Sequence, residues 1–176
     1  MTAHSPILAQ GDHDAWAAAT DAANAWRGEA IQLFAKAELA VSETLRALGE
    51  QPGKGAKVRL RRLVGQRFED LATALSDLDS ERRARASGSL ARFRDLEEVR
   101  PYLCHGVAKV ALDRRGFWIA ILKLVDLRAS RVSVHTRSFE EREARVLIED
   151  LSKRTRDLLA ALQSVRSKLA PNTTPA

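Results

Sequence analysis

Arg100-Pro101-Tyr102-Leu103-Cys104-His105-Gly106, followed by Val107-Ala108-Lys109-Val110-Ala111-Leu112, decides how this chain folds. Before Gly106 apolar residues recur every three or four positions, the period of a helix buried on one side. After it they recur in the short runs and alternations of strands. The reading downstream is a strand over 107–112, a hairpin connection at Asp113-Arg114-Arg115-Gly116 with Gly116 at positive φ, and a second strand over 117–127. Arg131-Val132-Ser133-Val134-His135-Thr136 alternates cleanly and predicts a short third strand at an edge.

Ser138-Phe139-Glu140-Glu141 then matches a capping box, with Ser at the cap and Glu three residues on. The helix it opens runs to about Leu169, striped by Leu147, Leu151, Leu158, Leu162, Val165 and Leu169, and Pro171 stops it. Upstream, Asp12 or Asp14 is placed to cap a helix reaching Leu48. Trp26, Ala30, Leu33, Ala37, Val41, Thr44 and Leu48 form its apolar stripe. Gly49 and Gln51-Pro52-Gly53-Lys54-Gly55 end it. A second helix is predicted over 57–78 on Leu60, Val64, Phe68, Leu71, Leu75 and Leu78. A third begins behind Asp79 or Ser80, weakens at Ser87-Gly88-Ser89, and resumes through Leu90, Phe93, Leu96 and Val99 to end near His105.

Four amphipathic helices joined by short loops predict an antiparallel four-helix bundle, with the three-strand meander inserted before the last helix and seated at one end. A chain of 176 residues suits one domain, here 12–169, with flexible tails at 1–11 and 170–176. Apolar residues make up 45% but aromatics only 5%, a mixture of Ala and Leu that favours helices over a β-sandwich. The one cysteine, Cys104, excludes an internal disulfide and a cysteine-built zinc cage. The N-terminus lacks the pattern of a signal peptide, and the most hydrophobic window, 117–125, is too short to span a bilayer. The cytoplasm is the expected location.

Net charge is +6 and pI about 10.0. Most of the basic residues are arginines, which grip phosphate with paired donors. That charge is equally what an ordinary Arg-rich solvated surface would carry. Among the basic residues, Arg100 and His105 are set apart by position. They close a helix at the helix-to-strand transition, whereas Arg128 and His135 are a pair of similar spacing of the kind that arises by chance in an Arg-rich chain.

An Arg-x4-His pair closing the third helix of such a bundle resembles the HEPN superfamily. It is most similar to members of the form Arg-Asn-x-Leu-Ala-His-Gly, which Arg100, Leu103, His105 and Gly106 match and in which Cys104 replaces one small residue by another. The specific part of the resemblance is about seven residues. Some members also place a short hairpin and a capped final helix after the motif, as 107–169 would. The resemblance implies a metal-independent endoribonuclease working as a homodimer without a cofactor, in the setting of a toxin or defence component restrained by an antitoxin or other regulatory protein. Arg100 and His105 would be catalytic. His105 would accept the proton of the ribose 2′-hydroxyl near neutral pH, and Arg100 would neutralise charge building on the phosphorane. One position departs from the family: Pro101 stands where a polar residue, often Asn, is usual. Proline removes a backbone donor and pushes Arg100 from helical geometry, so the helix either kinks at Arg100 or restarts with Pro101 in its first turn.

The alternative reading is a non-catalytic HEPN-like module that binds RNA or protein and dimerises, His105 and Arg100 then serving to hold carbonyls and Glu97 or Glu98. Lys54, Lys57, Arg61 and Arg62, with Arg59 and Arg67, are candidates for RNA binding at the start of the second helix. Arg82, Arg83, Arg85, Arg92 and Arg94 admit the same reading, although no aromatics interleave for base stacking. Asp12-His13-Asp14 reads as a cap rather than a metal site, and Trp16, Trp26 and Trp118 read as core or interface anchors. Phosphate-loop, nucleophile-elbow and His-Glu-x-x-His motifs are absent from the sequence.

Overall fold

The computed structural model describes residues 10–51, 58–59, 61–77, 80–128 and 131–169. Among them the chain is mainly helical, with a three-stranded antiparallel sheet before the last helix. The order is α1 (Gln10–Gly49), α2 (Val64–Ala74) with a 3₁₀ turn at Leu75–Asp77, α3 (Ser80–Arg94), α4 (Arg100–His105), β1 (Val107–Leu112), β2 (Trp118–Arg128), β3 (Arg131–Glu140) and α5 (Glu141–Leu169). Five α-helices thus stand among the described residues where four were expected. The described chain divides into two compact units. The first draws on residues up to Ile31 and on Val99–Ile148; the second takes Gln32–Glu98 and Glu149 onward.

In the first unit the sheet runs in the order β1-β2-β3. Val107 pairs with Lys123, Leu112 with Trp118, Ile119 with Glu140 and Arg128 with Arg131. One face is buried: Trp118, Ala120 and Leu122 alternate inward along β2, and Phe139 stands opposite Ala120. Trp26 of α1 meets that face, its ring centroid 5.6 Å from Trp118 and 5.2 Å from Phe139. Its indole N–H donates to the Ala144 carbonyl at 2.9 Å, satisfying the polar edge of a buried ring. Trp16 lies outside the core. It is 45% exposed and reaches the Val110 carbonyl at 3.3 Å.

The β1–β2 connection turns on Asp113 and Gly116. Gly116 adopts φ 84°, the left-handed conformation expected of it. The Asp113 carboxylate accepts backbone N–H bonds from Arg115 (2.8 Å) and Phe117 (2.9 Å). Desolvation pulls this carboxyl upward, but the two backbone donors and the Arg115 guanidinium outweigh it and hold its pKa below the ordinary value.

The capping box gives way to the sheet. β3 runs on through Ser138 and Glu140, and α5 begins only at Glu141. Ladder pairing with Ile119 to Ile121 and the burial of Phe139 outcompete a local serine cap. Glu141 instead accepts the Trp118 backbone N–H at 3.4 Å.

The second unit is helical, formed by the later part of α1, by α2, α3 and the later part of α5. Phe93 of α3 is its hub, edge-on to Phe34 and stacked on Phe68, each at 5.7 Å. The expected α1 stripe is buried except for Leu33, which is half-buried, and Phe34 and Leu45 join it. Arg166 of α5 donates to the Ala40 carbonyl (3.1 Å) and the Thr44 hydroxyl (2.9 Å), and Gln51 donates to the Leu169 carbonyl (3.1 Å). These contacts advance in the same direction along α1 and α5, so the expected antiparallel arrangement does not hold for this pair. Short loops dictate it only for helices consecutive in the chain.

Two helix boundaries also differ from expectation. α2 starts at Val64 rather than 57, because Val58, Arg59 and Arg61 to Leu63 are non-helical, while Lys57, Leu60 and Leu78 lie outside the described residues. α1 begins at Gln10, so Asp12 and Asp14 sit inside it and not at its cap.

Candidate functional site

The third helix passes through Ser87-Gly88-Ser89 without a break and stops instead at Arg94. Pro101 supplies the reason. In a continuous helix its ring would collide with the carbonyl of residue 97, and it has no N–H to offer that carbonyl. The chain tightens into turns, Leu96 N–H to the Phe93 carbonyl (3.0 Å) and Glu97 N–H to the Arg94 carbonyl (2.9 Å), and restarts as α4 with Pro101 in its first turn.

α4 is six residues long and belongs to the first unit. Leu103, fully buried, anchors it. It ends at Gly106, whose N–H donates to the Tyr102 carbonyl at 2.9 Å and whose φ is −68°. Close approach, not an unusual φ, requires glycine here: a Cβ would lie 2.4 Å from the Tyr102 carbonyl oxygen and 3.3 Å from Leu122 Cβ. From α1, Arg27 reaches across to the same turn, donating from Nε to the Leu103 carbonyl at 2.6 Å and from Nη2 to the Gly106 carbonyl at 2.8 Å. Nothing in the sequence points to Arg27, since these bonds join residues 76 and 79 positions apart.

The helix opens on Arg100, which is half-buried, and closes on His105, which is exposed; Tyr102 and Cys104 are half-buried between them. Five positions along an α-helix correspond to about 7.5 Å of rise and about 140° of rotation. A guanidinium and an exposed imidazole therefore stand at opposite ends and on different sides of one short helix. Both residue types suit work on a phosphodiester: a fixed donor pair and a proton acceptor.

The basic residues expected to extend the site are in the second unit. Lys54 and Lys57 lie outside the described residues. Arg62 and Arg59 are exposed. Arg61 is committed inside the protein: its Nε lies 2.9 Å from both oxygens of buried Asp70, and Nη2 meets Glu69 at 3.2 Å. The hydrogen bond to Arg61 holds the Asp70 carboxyl below the usual carboxylate range against the opposing desolvation. Arg67 donates to Ser42 at 2.6 Å, and its buried Nε has no hydrogen-bond partner among the described residues. On α3, Arg83 donates to the Ser76 carbonyl, Arg92 to Ser89 and Arg94 to Glu97, while Arg85 is exposed.

A cavity of about 270 Å³ opens in the first unit where the β1–β2 turn meets the start of α5, lined by Asp113, Arg115, Phe117, Trp118, Glu141 and Arg145 among others. Its acids and arginines offset one another, and neither Arg100 nor His105 lines it. Among the described residues no three His, Cys, Asp or Glu side chains group so as to hold a metal ion, and no helix is long and apolar enough to cross a membrane. No family model, curated protein or solved structure matches the chain.

Proposed function

We propose that this protein is a HEPN-like, metal-independent endoribonuclease acting as a homodimer, with Arg100 and His105 as its catalytic residues. The supporting observation is that α4 stands as a separate short helix, opening on half-buried Arg100 and closing on exposed His105, at the junction of helix and sheet. In this reading α3 and α4 together are the third helix of a HEPN bundle, interrupted by Pro101.

The reaction follows from those two groups. His105 takes the proton of a ribose 2′-hydroxyl, and O2′ attacks the adjacent phosphorus. The P–O5′ bond breaks, and the departing 5′-oxygen takes a proton. The products are a 2′,3′-cyclic phosphate and a 5′-hydroxyl. Arg100 carries the charge that collects on the phosphorane oxygens. One imidazole cannot be base and acid at the same instant, so the second copy's site supplies the acid. The exposed cations Arg59, Arg62 and Arg85 add long-range attraction for RNA. A cytoplasmic toxin or defence protein held in check by a regulatory partner is the setting that fits such an activity.

The decisive experiment incubates the purified protein with RNA in EDTA beside His105→Ala. Cleavage leaving cyclic phosphate ends, lost in the variant, is expected; cleavage unaffected by the substitution overturns the reading. A second reading, a non-catalytic RNA- or protein-binding dimerisation module, is favoured by one observation, that the cavity in the first unit is lined by neither residue. It predicts RNA binding without cleavage, retained in His105→Ala.

A further inference from the structure

A six-residue helix makes few internal hydrogen bonds, and isolated turns of this length do not hold themselves together in water. Its last carbonyls have no partners further along the helix, because the chain enters β1 at Val107. The Leu103 and Gly106 carbonyls, two residues before His105 and one after, are both taken up by Arg27. Nε and a terminal nitrogen of a guanidinium form a rigid planar fork, so these two bonds fix the path of the backbone between them. The fork comes from a firm base. Trp26, next to it in α1, is buried and bonded to the Ala144 carbonyl. The guanidinium thus sits at the C-terminal end of α4, where a cation is favoured.

We propose that Arg27 is the positioning residue of the Arg100/His105 site: it clasps the last turn of α4 on both sides of His105 and sets the direction of the imidazole. The functional meaning of that role rests on the nuclease reading above, but the contact itself is measured separately.

The test uses the full chain in solution. In the unsubstituted protein the Arg27 Nε–H should give a resolved NMR signal in slow exchange with water. In Arg27→Gln the Gly106 amide should exchange roughly ten-fold faster, and the His105 ring resonances should move or broaden. Arg27→Lys, whose single ammonium cannot fork, should recover only part of this. Where cleavage is measured, kcat should fall with KM little changed. An Arg27 Nε–H exchanging like that of a surface arginine overturns the proposal. So do His105 ring signals unaltered in Arg27→Gln while Tm falls, the mark of a merely structural bond. Should Arg27→Gln fail to fold, the unsubstituted protein and Arg27→Lys still decide. If the unsubstituted protein leaves RNA intact, the nuclease reading fails while the ring and amide measurements still judge Arg27.

Discussion

Single positions carry the sharpest expectations. Gly106→Ala pushes a methyl to 2.4 Å from the Tyr102 carbonyl oxygen, and backbone cannot swing aside as a flexible side chain can. The expected loss is about 1–3 kcal/mol in urea unfolding, the usual range for overpacking, with the end of α4 displaced. Asp70→Asn tests the buried pair with Arg61. The folded pKa of Asp70 is depressed, so its contribution is complete above the ordinary carboxylate pKa of about 3.9 and disappears as pH falls through the lower folded value. The variant should be less stable at neutral pH, and the gap from the parent should close towards strong acid. A gap that stays constant with pH would remove the ion pair from the account. Gly116 was legible as a turn residue because its neighbours alternate on either side, whereas the need for glycine at 106 depends on Leu122 and the returning Tyr102 carbonyl, which no local pattern reveals.

At the level of elements, Phe93 joins α1, α2 and α3 of the second unit through its two aromatic neighbours. Phe93→Ala should cost about 3–5 kcal/mol, against less than about 0.5 kcal/mol for Val146→Ala, which is exposed. Equal losses in urea titrations would mean that Phe93 is not the hub. Strand periodicity placed β1 at its observed bounds and found β2 and the start of β3, because the alternation is displayed within each strand itself, although only β2 buries an alternating run, at Trp118, Ala120 and Leu122. The capping box at Ser138 misled for the opposite reason: a local signal worth about 1 kcal/mol competes with pairing and aromatic burial that sequence does not display. The interruption before α4 was readable only as two alternatives. Pro101 forbids a continuous helix, but the accommodation it forces falls several residues upstream, in the 95–99 turns.

For the molecule as a whole, the proposed RNA binding should weaken with salt, since it would draw on a net charge of +6. On a single strand the logarithm of affinity should fall with the logarithm of salt by about 0.7 per phosphate neutralised. Binding indifferent to salt between about 50 and 200 mM would assign the arginines to folding and solubility alone. Many of them are already occupied within the chain, as Arg61, Arg154 and Arg166 illustrate, which composition cannot disclose. The chain also visits its two compact units in alternation, the first, the second, the first and the second again. During synthesis, therefore, the earlier unit waits for Ile148 to emerge and the later one for the end of α5, so the ribosome carries two unfinished halves, their apolar stripes open to chaperones, through most of translation.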